Sequence, residues 1–153
     1  MKININLNGQ PKSWEIDPGE MLLDVLRRKG ILSVKHGCDT GSCGACTVIL
    51  DEKPILSCSY LAARADGTTI KTVEGMTKEV EDFGKFLTDE GAEQCGFCGP
   101  SLALTVISLK NEIKNPSDDE INHYLSGNLC RCSGYVGQFR AIKKYLEAEN
   151  ERS

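Results

Sequence analysis

No segment of this chain approaches the roughly 18–20 consecutive apolar residues of a membrane span. The first thirty residues, beginning MKININLNGQPKSWEIDPGE, alternate polar and apolar side chains and lack the continuous apolar stretch of a secretory leader. Aromatic residues make up only 6% of the chain, with a single tryptophan, so no platform for stacking nucleic-acid bases stands out. The net charge of −4 and the sequence pI of about 5.2 argue against a nucleic-acid or anionic-membrane partner. Glycines cluster around Gly41 and Gly44, but no G-x4-G-K-[ST] run is present to cradle a phosphate. There are only two histidines, His36 and His123. These absences predict a cytoplasmic chain whose thiols stay reduced.

Against them stand eight cysteines among 153 residues. In a reduced compartment, cysteines clustered in this way read as metal ligands before they read as disulfides. The first four, Cys38, Cys43, Cys46 and Cys58, follow C-x4-C-x2-C-x11-C within and beyond HGCDTGSCGACTV. The opening C-x4-C-x2-C with a remote fourth cysteine is the plant-type pattern for a two-iron, two-sulfur cluster. Anionic sulfides need backbone N–H donors around them, and a loop wrapped closely on a cluster needs residues without side chains, which the glycines supply. Zinc ribbons pair short C-x2-C knuckles instead. The other four form C-x2-C, Cys95 and Cys98 in QCGFCGP, and C-x-C, Cys130 and Cys132 in GNLCRCSGY. Spacing alone leaves a four-cysteine zinc site open here. The close C-x-C pair, read as neighbours able to hold one iron, tilts the reading toward a second cluster. Each set already has four cysteines, so His36 and His123 read as surface or packing residues, not as Rieske-type ligands.

The chain around these sites divides in two. Ile3, Ile5 and Leu7 alternate, Asn8-Gly9 signals a tight turn, and Trp14 and Ile16 alternate again, which predicts a hairpin. Met21, Leu22, Val25 and Leu26 recur at helical spacing, with Arg27-Arg28-Lys29 suiting the negative end of the helix dipole and Gly30 stopping it. CTVILD, PILSC and TIKTVE (69–74) predict three further strands, the second carrying Cys58. Beyond a linker over Gly75–Lys78 the pattern turns helical. Val80, Phe83, Phe86 and Leu87 mark a helix over 79–93, and Pro100 begins a strongly apolar one through Ile113. Ser117 and Glu120 have capping-box spacing for a helix to about Ser126, and a last helix runs from Phe139 to about Glu149. The excess negative charge all lies after residue 76. Asp118-Asp119 read as first-turn helix acids, and Trp14 with the Met21–Leu26 stripe as core.

GCDTGSCGACTV, QCGFCGP and GNLCRCSGY, in this order and across nearly the whole chain, resemble the small iron–sulfur subunit of the molybdenum hydroxylases, the group of xanthine dehydrogenase, aldehyde oxidoreductase and carbon monoxide dehydrogenase. The resemblance implies an α+β fold: a plant-ferredoxin-like β-grasp domain over 1–76, then a four-helix bundle domain over 77–153. It implies two 2Fe-2S clusters, one held by Cys38, Cys43, Cys46 and Cys58, the other by Cys95, Cys98, Cys130 and Cys132. The second would face molybdopterin in a large partner subunit, with Gln94 and Cys132 against the pterin, and the first would face FAD in a medium subunit. The chain would then be the electron-transfer part of an oxidoreductase acting on a purine, another N-heterocycle or an aldehyde, with no bond-making residue of its own. A free-standing two-cluster ferredoxin is the rival, although a simple plant-type ferredoxin needs only the first half. The chain departs from the family in reading Cys98-Gly99-Pro100-Ser101 where C-T-P-G is usual, and in having Ser133 where threonine is common.

Overall fold

The alternation in the first fifteen residues does make a hairpin. In the computed structural model, which describes residues 1–152, β1 (Lys2–Leu7) pairs antiparallel with β2 (Gln10–Glu15), Lys2 opposite Glu15 and Leu7 opposite Gln10. Ile3, Ile5 and Leu7 are buried and the residues between them exposed. Asn8 and Gly9 both take positive φ, 53° and 80°, which the tight hairpin turn requires.

α1 (Leu22–Arg28) buries Leu22, Leu23, Val25 and Leu26 and carries Arg27 and Arg28 in its last turn. β3 (Thr47–Leu50) and β4 (Lys53–Leu56) form a second hairpin, and β5 (Thr69–Lys71) completes a five-stranded sheet of order β2-β1-β5-β3-β4. β1 and β5 run parallel, the other pairs antiparallel. α1 packs its apolar face against Ile3, Ile5, Leu7, Val48, Leu50 and Ile70.

β3 reads as a continuous apolar run because it is covered on both faces. Val48 and Leu50 belong to the core under α1, while Ile49 packs with Met76 against Leu104 and Ile107 of α3 (Gly99–Glu112). α3 is therefore buried almost all round, from Ser101 to Leu109 without interruption. With α2 (Thr77–Asp89), α4 (Asp118–Leu125) and α5 (Val136–Arg152) it surrounds a second core of Phe83, Leu102, Val106, Leu109, Ile121 and Ile142. Tyr145 joins it, edge-on to Phe83 with ring centroids 5.3 Å apart. The capping box is present: Ser117 Oγ accepts from Glu120 N–H, and Glu120 Oε2 accepts from Ser117 N–H.

Five expectations change. β5 stops at Lys71, because the N–H of buried Thr72 turns to Asn8 Oδ1 (2.8 Å) and Asn8 Nδ2 donates to Thr72 Oγ1 (2.9 Å); Val73–Gly75 is a 3-10 turn. β4 stops at Leu56, so Cys58 lies in a 3-10 turn over Ser57–Ser59 and not on a strand. The expected linker is a packed seam, with Met76 buried and α2 already begun at Thr77. α2 also ends at Asp89, short of 93, and α5 starts earlier, at Val136. Ser153, the last residue of the expected second domain, lies outside the described residues.

α5 is tied to each of the other helices of its half by ions. Lys110 of α3 pairs with Glu149 at 2.9 Å, Asp118 of α4 with Lys143 at 2.8 Å, and Glu90, just past α2, with Arg140 (2.7 Å) and Lys144. Glu90 sits at the negative end of the α2 dipole, where an acid is disfavoured unless cations hold it. Lys144 first, and Arg140 with it, keep its carboxyl below the ordinary carboxylate range. A depressed folded pKa means the stabilisation is present above the ordinary value and is lost as pH falls through the depressed one. Glu90→Gln is therefore expected to lower the melting temperature at pH 7, with the gap to the parent closing as the pH is taken below the carboxylate range in thermal melts.

Candidate metal centres

The first cysteine set is rooted in the sheet half. Its loop leaves α1, turns at Gly41 (φ 69°) and Gly44 (φ 74°), and enters β3. Cys46 is only 3% exposed and is part of the core under α1, against which Cys58 also packs. Three of the loop's carbonyls are held by their own half: Val34 O accepts from Arg27 Nη1 (2.7 Å), Gly44 O from Thr47 Oγ1 (2.7 Å), and Cys46 O from Ser57 Oγ (2.7 Å). The thiols meet in twos, Cys38 with Cys43 and Cys46 with Cys58. Backbone N–H groups of Cys43, Thr40 and Ser42 converge on Cys38 and bring its thiol down to about 6. Ala45 N–H reaches Cys43 Sγ at 3.4 Å. Burial acts the other way on Cys46, raising it to about 11.

The second set comes from two connections that face each other. Cys95 and Cys98 lie between α2 and α3, and Cys130 and Cys132 between α4 and α5. Here too the thiols pair, Cys98 with Cys130 and Cys95 with Cys132. The neighbours in C-x-C thus each interact with a thiol of the C-x2-C stretch. The C-x2-C and C-x-C stretches thus meet through their thiols. Burial raises Cys98 to about 11. Cys130 is also penalised by burial, yet the Ser133 hydroxyl and the backbone N–H groups of Ser133 and Cys132 outweigh this and bring it to about 7. Ser133 N–H lies 3.4 Å from Cys130 Sγ, and Tyr135 OH accepts from Cys130 N–H at 3.1 Å. Gln94 Nε2 donates to Cys132 O at 3.2 Å, so these two expected site residues are brought together.

Gln138 is a site residue that the sequence reading missed. It is 6% exposed and its Nε2 reaches Cys98 Sγ at 3.6 Å. The signal was a polar side chain on the apolar stripe of α5, four residues before Ile142 and seven before Tyr145. His36 Nε2 instead bonds Asp39 at 3.1 Å, and His123 lies in the last turn of α4. Asp118 and Asp119 lie in the first turn of α4, as expected, and Trp14 is buried.

Between the two sets lies a cavity of about 440 Å³ lined by Gly37, Cys43, Phe97, Cys98, Cys130 and Arg131 among others. Main chain joins the sets beside it, with Leu129 N–H donating to Cys43 O at 2.9 Å. Among the described residues, no three His, Cys, Asp or Glu side chains gather as they would around a single metal ion. The sulfurs meet pairwise instead. Among the described residues no helix is long and apolar enough to cross a membrane.

Two protein families place this arrangement. Residues 5–69 match the 2Fe-2S iron–sulfur cluster binding domain, and residues 72–143 match the [2Fe-2S] binding domain, so the chain is a two-domain iron–sulfur protein. It is 43% identical over 148 residues to the nicotinate dehydrogenase small FeS subunit of Eubacterium barkeri, covering 95% of this chain and 94% of that protein. To the xanthine dehydrogenase iron–sulfur-binding subunit of Escherichia coli O157:H7 it is 45% identical over 137 residues, covering 87% and 86%. The crystal structure of quinoline 2-oxidoreductase from Pseudomonas putida 86 superposes with a TM-score of 0.90 at 36% identity, over 100% of this chain and 97% of that one. The chain belongs to the small iron–sulfur subunits of the molybdenum hydroxylases.

Gln138→Leu removes a donor to Cys98 Sγ at little cost in volume. Hydrogen bonds to cluster sulfurs favour the more negative, reduced state. An EPR-monitored redox titration of the iron-loaded variant should show one 2Fe-2S potential moved to a more negative value and the other unchanged.

Proposed function

We propose that this chain is the electron-transfer subunit of a molybdenum hydroxylase complex, with residues 1–76 as its ferredoxin-like β-grasp domain and 77–153 as its helical domain. Cys38, Cys43, Cys46 and Cys58 would hold one 2Fe-2S cluster, and Cys95, Cys98, Cys130 and Cys132 the other. The observation that carries this is the gathering of all eight thiols into two sets of two facing pairs. The donor set fits the group: each set has one thiol lowered toward neutrality, Cys38 or Cys130, and ligands must be deprotonated to bind iron. When bound, the clusters carry single electrons from molybdopterin in a large partner subunit to FAD in a medium one.

The chain's own residues do the holding and the docking. Backbone N–H groups around Cys38 and the Ser133 and Gln138 donors stabilise negative charge on sulfur. Cys95 and Cys132 are exposed, with Gln94 beside them, and Phe97, Leu129, Tyr135 and Val136 form an apolar rim around that set. Such a rim suits a large, permanent partner surface, and Gln94 and Cys132 would meet the pterin there. The first set opens between His36, Asp39, Asp24 and Ser59, a polar face suited to the flavin subunit. The relatives named above act on nicotinate, xanthine and quinoline, which favours an N-heterocycle over an aldehyde as the complex's substrate. The complex would be cytoplasmic.

Cys95→Ser in the assembled complex tests the order of carriers. Substrate should still reduce molybdenum, while the remaining cluster and the flavin stay oxidised until dithionite is added, as read by EPR and flavin absorbance. Flavin reduction by substrate at the parent rate would refute the assignment. Recovery of the native chain with iron but without molybdenum or flavin subunits would favour a free-standing carrier.

A further inference from the structure

The two cysteine sets are anchored unequally. Gly44, Ala45 and Cys46 of the first loop are buried, and Cys46 is part of the sheet core. None of the described residues 93–98 and 126–135, which carry the second set, is buried. These two exposed loops each lean on a glycine of the first loop. A Cβ on Gly44 would lie 2.1 Å from Gly127 O and 3.0 Å from Gly127 C, so main chain meets main chain at a distance that excludes any side chain. A Cβ on Gly37 would lie 3.1 Å from Phe97 Cε1, the side chain between Cys95 and Cys98. The Cys43 carbonyl takes the N–H of Leu129, immediately before Cys130. Three further carbonyls of the first loop are held from its own half, by Arg27, Thr47 and Ser57.

We propose that the first cysteine loop is the template for the second site: the loops bearing Cys95, Cys98, Cys130 and Cys132 hold their cluster only against a formed Cys38–Cys46 loop, with Gly44 as the positioning residue. The dependence runs one way, from first site to second. This rests on the two-cluster reading above. It gives Gly44 a role beyond wrapping its own cluster, since the atoms it makes room for belong to the other half.

The test compares Gly44→Ala with Gly41→Ala in the full chain, reading iron content and the EPR signals of the dithionite-reduced protein. Gly41 has the same left-handed backbone (φ 69° against 74°), but its Cβ would meet Ser59 Oγ at 3.0 Å, inside the first half. Both variants carry the backbone strain of a non-glycine residue, and only Gly44→Ala drives into the second site. Gly44→Ala is expected to lose the second cluster's signal, with iron falling to about half, one cluster's worth, while Gly41→Ala keeps that signal. Retention of both signals in Gly44→Ala, loss of the first alone, or equal loss of the second in Gly41→Ala overturns the proposal. Should Gly44→Ala give no soluble chain, the cysteines decide: Cys38→Ser should lose both signals and Cys95→Ser the second alone. A second signal intact in Cys38→Ser overturns the template. A parent chain lacking two clusters overturns the functional reading and this inference together.

Discussion

The halves meet backbone on backbone where Gly44 lies against Gly127 and the Cys43 carbonyl accepts the Leu129 amide. A methyl group on Gly44 would force the loops apart. Because it sits between the two cysteine sets, it fixes their separation and closes one side of the cavity lined by Cys43, Cys98 and Cys130. Everything that reaches the second set by way of the α4–α5 connection is aligned by this single main-chain contact.

The seam beneath it is made by β3. A strand with one face on α1 and the other on α3 cannot alternate, and TVIL does not. The cost of that choice falls on α3, which has no solvent face over its middle nine residues and so loses the usual amphipathic pattern. In return Ile49, Met76, Leu104 and Ile107 form a third apolar cluster that belongs to neither half. The ion pairs of α5 then close the helices on the side away from the sheet.

Local chemistry was readable from the sequence and contacts between distant segments were not. The β1–β2 hairpin, α1 and the α4 capping box each follow from residues within a few positions of one another, and each is where the pattern puts it. The C-x4-C-x2-C spacing also identifies a cluster loop locally, and the order of the three cysteine motifs identifies the family. Cys58 was read as strand-borne because PILSC is apolar, but Ser57 leaves the sheet to bond the Cys46 carbonyl. Thr72 leaves it for Asn8, sixty-four positions away. The spacing of C-x-C shows its members as neighbours in sequence, and the interactions of Cys130 with Cys98 and of Cys132 with Cys95 across two connections are not legible from it. Gln138 and the partner of Gly44 were hidden for the same reason: what they touch is set by how α5 and the α4–α5 connection return to the first half.

Asn8 sits at the tip of the first hairpin, yet its side chain grips Thr72, and a Cβ on Gly75 would lie 2.3 Å from its Oδ1. The hairpin tip is thus bolted onto the segment that joins the halves, at the one point where a hinge would have to bend. The path from the sheet to α2 thus starts from a point that the first hairpin holds in place.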